Sequence, residues 1–182
     1  MRTRALVIPA VLLLLSTAAL AQLRLVPMKG SKVKLVSGKH SSTVNLDDAL
    51  AGSNGSMPGD PPHKYRVLFA TKRGDFLYLV ANVQSRSPIS DRNAPCGGDA
   101  PQAILWIKAD KELKAAQFVS QIYASCSYNY YGSKLRVTKN SLKVFYGGRE
   151  AKELTYDNNA PEKGLVFTNH DPGMITNSKP NH

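Results

Sequence analysis

Acidic side chains are scarce in this 182-residue chain, with 13 Asp and Glu against 24 Lys and Arg, and cysteine is almost missing, with two residues. No apolar run reaches the roughly 20 residues that a membrane-spanning helix needs. The mature chain is therefore expected to carry no transmembrane segment. Several chemical signatures are also missing: there is no Gly-x-Ser-x-Gly elbow, no glycine loop closing on Lys-Ser/Thr, no His-Glu-x-x-His and no Cys-x-x-Cys. That removes the usual sequence marks of α/β-hydrolases, P-loop nucleotidases, zinc proteases and dithiol oxidoreductases. A metal site would need His63, His170, Asp60 and Asp171 to converge from separate loops. A glycosidase would need two buried carboxylates at a set separation, whereas most acids here sit in turns or between basic residues. No catalytic residue, metal or cofactor is expected.

What is present begins with a cationic start, Met1-Arg2-Thr3-Arg4, followed by an apolar run from Ala5 to Leu15 and a small-x-small site, Ala19-Leu20-Ala21, before Gln22. This pattern is that of a secretory signal peptide, cleaved after residue 21, and it predicts a periplasmic or secreted product. Cleavage removes Arg2 and Arg4 and no acid, taking the formal net charge from +11 to +9. A balance of that size favours contact with polyanions or with an acidic protein partner. The charges are scattered, with no block of five or more of one sign, so a generally solvated basic surface accounts for much of the balance too.

Two cysteines in an exported chain most simply form one disulfide, here Cys96 with Cys126. Closing that loop contributes roughly 3.5 kcal/mol on the chain-entropy account. The rival reading, a nucleophilic thiol at Cys96 in the turn Pro95-Cys96-Gly97-Gly98-Asp99, lacks the histidine base that such a thiol wants. His40, His63, His170 and His182 all lie far along the chain in polar or turn-rich surroundings.

In order along the chain, Leu23 and Leu25, then Val33 and Leu35, alternate with basic residues and predict short strands with one wet face. Residues 22–50 read as an N-terminal arm, in which Thr43 to Leu50 is either a strand or a helical turn. Residues 51–63, rich in Gly, Ser and Pro, read as a loop or linker; they include Asn54-Gly55-Ser56, formally a glycosylation sequon. The main β-domain is expected over 64–168 and a loose tail over 169–182. Tyr65 to Thr71 and Asp75 to Val83 predict a hairpin turning at Lys72-Arg73-Gly74. The run Ala103-Ile104-Leu105-Trp106-Ile107 is a further strand.

Lys111 to Ser125 reads two ways. As a helix, Leu113, Ala116, Val119, Ile122 and Tyr123 share a stripe and Asp110 is the N-cap. As the return strand of a hairpin, Phe118, Ile122, Ala124 and Cys126 share one face. The β-branched and aromatic content of Phe118 to Tyr123 favours the strand. Strands are also expected over 134–138 and 141–146 about a turn at Lys139-Asn140, then over 151–156 and 164–168. The fold class is thus mainly β, an antiparallel sandwich or curled sheet with one disulfide and room for one short helix.

The most suggestive surface stretch is Tyr128-Asn129-Tyr130-Tyr131 followed by Lys134, Arg136 and Lys139. Rings beside cations can stack on bases or sugars while the charges neutralise phosphates or uronates. The plainer reading is that some of these tyrosines cap the β core with wet hydroxyls. The favoured function is an exported, non-enzymatic domain binding an anionic envelope polymer or an acidic protein through Tyr128, Tyr130, Tyr131, Lys134 and Arg136. The alternatives are a small secreted hydrolase of nucleic acid or cell wall, using His63 or His170, and a periplasmic enzyme inhibitor.

Overall fold

The computed structural model describes residues 23–47, 64–85, 100–126, 130, 132–146 and 151–170. Eleven strands run in chain order among them: β1 (Arg24–Pro27), β2 (Lys32–Ser37), β3 (His40–Asn45), β4 (Lys64–Arg73), β5 (Phe76–Gln84), β6 (Gln102–Asp110), β7 (Ala116–Ala124), β8 (Lys134–Val137), β9 (Ser141–Phe145), β10 (Ala151–Asp157) and β11 (Val166–His170). They form three antiparallel sheets, β1-β2-β3, β4-β5-β6-β7 and β11-β10-β9-β8. The protein is mainly β and antiparallel, as the short alternating segments predict.

The middle sheet explains why the most apolar stretches do not alternate. Most antiparallel sheets keep one face wet. Here β5 and β6 are buried on both faces. Leu77, Leu79, Ala81 and Val83 of β5, with Ala103, Leu105, Ile107 and Ala109 of β6, point into one cluster. Tyr78 and Val80 of β5, with Ile104 and Trp106 of β6, point into another. The first cluster is completed by Leu23, Val33, Leu35, Val44 and Leu46, so the strands within the segment read as an N-terminal arm share a core with the middle sheet. The second is completed by Leu142, Val144, Tyr146, Leu154 and Tyr156 around the C-terminal sheet. The result is three stacked layers with two dry interfaces.

Two irregularities re-aim side chains between these interfaces. Across β6 and β7, Gln102 pairs with Ala124 and Ala103 with Ile122, which leaves Tyr123 as an extra residue. This bulge inverts the alternation beyond it. Ile122 enters the first cluster, whereas Tyr123 and Ala124 enter the second, so Ala124 does not share a face with Phe118 and Ile122 as strict alternation predicts. In β4 the register shifts between Val67 and Phe69, and Leu68 and Phe69 both serve the second cluster.

The ambiguous segment after Asp110 is a hairpin. The carboxylate of Asp110 accepts backbone N–H bonds from Glu112 at 2.8 Å, Lys114 at 3.2 Å and Ala115 at 2.5 Å. It is a capping residue, but of a turn and not of a helix. Leu113 sits in that turn with φ +59° and its side chain buried in the first cluster. The earlier hairpin turns at Gly74-Asp75, so Gly74 lies in the turn as expected while Lys72 and Arg73, also expected there, extend β4, with Arg73 opposite Phe76. Gly74 has φ +59° while Asp75 does not adopt positive φ, which is the type II′ pattern.

The C-terminal sheet is pinned to the middle one through the loop after β10. The indole N–H of Trp106 donates to Pro161 O at 3.1 Å, and Thr71 Oγ1 donates to Asn158 Oδ1 at 2.6 Å. Arg73 donates to Asn159 O and lies 3.7 Å from Glu162. The loop holds the 3-10 turn Pro161–Lys163, ended by Gly164 at φ +67° against the Trp106 ring. Thr43 to Asn45 completes β3, while Leu46 and Asp47 take helical backbone.

Strand β11 runs to His170, into the segment expected to be a loose tail. The expected signal peptide, linker and Cys96 turn lie outside the described residues. Among the described residues no helix is long and apolar enough to cross a membrane.

Candidate functional site

The aromatic half of the expected site divides. Tyr128 and Tyr131 lie outside the described residues. Tyr130 bridges to Ser125, donating its N–H to Ser125 O at 3.0 Å. Its half-buried ring packs against the core, 5.0 Å from the Tyr146 ring in an edge-on arrangement. Tyr146 is itself tied down by its hydroxyl, which donates to Ile122 O at 3.2 Å, and burial pushes that phenol well above its ordinary pKa. Tyr130 therefore caps the sheet stack.

The cationic half is exposed. Lys134 and Arg136 stand on the outer face of β8, alternating with Leu135, which packs inward. Arg136 lies 5.5 Å over the ring of Phe145, and Lys134 is paired directly opposite Phe145 in the ladder. Lys143, opposite Arg136, bonds Glu153 at 3.0 Å. Among the described residues, Tyr130 packs against the core, and the ring that accompanies the two cations is thus Phe145. Its position was readable: with Leu142 and Val144 inward at spacing two, Ser141, Lys143 and Phe145 must face out.

A second basic region lies on the N-terminal sheet. Val33 and Leu35 point inward, which leaves Lys32 and Lys34 of β2 facing out, joined by Arg24 of β1. No acidic residue occurs between Leu23 and Leu46.

A third region was not anticipated from the sequence. An open groove of about 640 Å³ is lined by Pro27, Lys64, Tyr65, Arg66, Asn82 and Gln84. Beside it, Tyr123 hydroxyl lies 2.7 Å from Gln102 Oε1 and 3.2 Å from Asn82 Oδ1, and Asn82 Nδ2 donates to Gln102 Oε1 at 3.2 Å. Burial pushes the Tyr123 phenol up to about 12, while the Asn82 bond and the Arg66 charge pull the other way. The only sequence sign was weak: Asn82 and Gln84 interrupt an otherwise apolar strand.

Among the described residues, no group of three His, Cys, Asp or Glu side chains is placed to hold a metal ion. His63 and His182 lie outside the described residues, and His170 is described only as the last backbone position of β11. No described cysteine is free. Cys126 follows β7, but Cys96 lies outside the described residues, so the expected cross-link itself is not described. No protein-family model matches this chain, and neither a curated protein nor a solved structure matches it.

Proposed function

We propose that this protein is an exported, non-enzymatic β-domain that binds an anionic envelope polymer, with an acidic protein as the alternative partner. The observation that carries this reading is the outer face of β8 and β9, where Lys134 and Arg136 flank the exposed Phe145 ring. Cations on a flat strand neutralise successive anionic groups, and the released counterions drive binding. The ring adds a stacking surface for a sugar or a base. The +9 balance left once residues 1–21 are removed supplies a long-range attraction. A Cys96–Cys126 bond suits the same exported setting.

The test uses the secreted, oxidised protein, whose intact mass should show residues 1–21 missing and two hydrogens fewer than the reduced form. Binding to peptidoglycan, anionic lipid vesicles and single-stranded DNA is measured across a salt series. Affinity should fall steeply with salt, and Lys134→Ala/Arg136→Ala should flatten the dependence by about one unit of log–log slope per cation. Phe145→Ala should weaken binding while leaving the slope unchanged. Absence of binding to all three at low salt overturns the polymer reading and leaves the acidic protein partner.

A further inference from the structure

We propose that the groove between the start of β4 and the end of β5 is a separate site for a single acidic sugar unit, meaning an oxyanion carried beside vicinal hydroxyls. It uses none of the residues on the β8–β9 face and stands whether or not that face binds a polymer. The groove arises where one face of the middle sheet changes character. Along β5 the side chains of that face run Tyr78, Val80, Asn82, Gln84, and along β6 they run back from Trp106 and Ile104 to Gln102. The second cluster ends at Val80 and Ile104, and beyond it the face is carboxamide. The edge strand β4 then adds Lys64 opposite Gln84 and Arg66 opposite Asn82. Two cations and two amides therefore converge on one concave surface, with no acid among its described lining residues.

The chemistry selects the ligand. A guanidinium binds a carboxylate or phosphate through paired N–H donors, and an ammonium adds a point charge. Neither Lys64 nor Arg66 forms an ion pair among the described residues, so both are open to an external anion. Carboxamides donate and accept at once, which suits hydroxyls that do the same. The bonds among Asn82, Gln102 and Tyr123 hold Asn82 in place before any ligand arrives. That preorganisation reduces the ordering cost of binding. Tyr65, opposite Val83 in the ladder, turns its half-buried ring to the first cluster on the other face of the sheet and borders the groove from that side. A groove of about 640 Å³ lies within the range of small-ligand sites.

The experiment is a backbone NMR titration of the full mature chain with glucuronate, glucose 6-phosphate, glucose and inorganic phosphate. Saturable shifts centred on residues 64–66 and 82–84 with either anionic sugar support the site, and which of the two binds tighter separates a carboxylate from a phosphate source. Arg66→Gln, at an exposed position, should weaken that binding about tenfold or more, the scale of one lost charge-assisted hydrogen bond. Lys134→Ala/Arg136→Ala should leave it unchanged. Four results overturn the proposal: no saturation below about 20 mM, equal response to glucose, full reproduction of the shifts by inorganic phosphate alone, or indifference to Arg66→Gln.

Discussion

At the scale of single residues, Asp110 shows how one side chain chooses between two folds that share a sequence pattern. Its carboxylate collects three backbone N–H groups of residues 112–115, which helps hold Leu113 at φ +59° so that the leucine can reach the first cluster. Left-handed backbone at a non-glycine residue costs about 1–3 kcal/mol unless its surroundings enforce it. The N–H donors, that of Ala115 foremost, hold the Asp110 carboxyl below its ordinary pKa. A carboxyl with a lowered folded value contributes stability above its unfolded pKa of about 4 and loses it as pH falls through the folded value. Asp110→Asn should therefore lower the melting temperature at neutral pH, and the gap should close as the medium is acidified below about pH 4. A gap that persists unchanged to about pH 2 would show that the turn does not depend on the charge.

At the scale of elements, the strands were largely readable and their layering was not. The hairpin of β4 and β5, the turn at Lys139-Asn140 between β8 and β9, and the pairing of β10 with β11 all follow from β-branched runs broken by turn residues. The helix reading of 111–125 rested on a stripe that included Val119 and Leu113. In the structure Val119 is exposed and Leu113 belongs to the turn. What periodicity could not show was that β5 and β6 are covered on both sides, because a strand buried on both faces loses its period-two signal. Ile104 and Leu105 make the point testable. They are neighbours, both fully buried, in opposite clusters. In a two-layer sandwich one of them would face solvent. Ile104→Ala and Leu105→Ala should each cost about 2–5 kcal/mol in denaturant unfolding followed by Trp106 fluorescence. A small effect at either position would remove one of the two dry interfaces.

At the scale of the whole molecule, the candidate sites show where sequence reading stops. The exposure of Lys134 and Arg136 could be read because a basic, alternating strand announces its wet face. The ring beside them could be found only by carrying the alternation through to Phe145, and the Tyr128 to Tyr131 run drew attention to a region in which Tyr130 is occupied with the core. The groove at Lys64, Arg66, Asn82 and Gln84 joins residues of two strands and the end of β1, so its convergence depends on register, which local patterns do not encode.

Among the described residues, three open sheets leave six border strands: β1 and β3, β4 and β7, and β8 and β11. Each border is a row of backbone groups able to continue the ladder into a neighbouring molecule. Lys134 and Arg136 on β8, Lys64, Arg66, Lys72 and Arg73 on β4, and Arg24 on β1 set charge of one sign along three of those borders. Copies approaching border to border therefore repel one another. A polyanion that occupies these cations also cancels the repulsion. The mixture should then turn cloudy near charge equivalence and clear again when either component is in excess, so that the charge proposed to draw a ligand is also the one expected to keep copies dispersed.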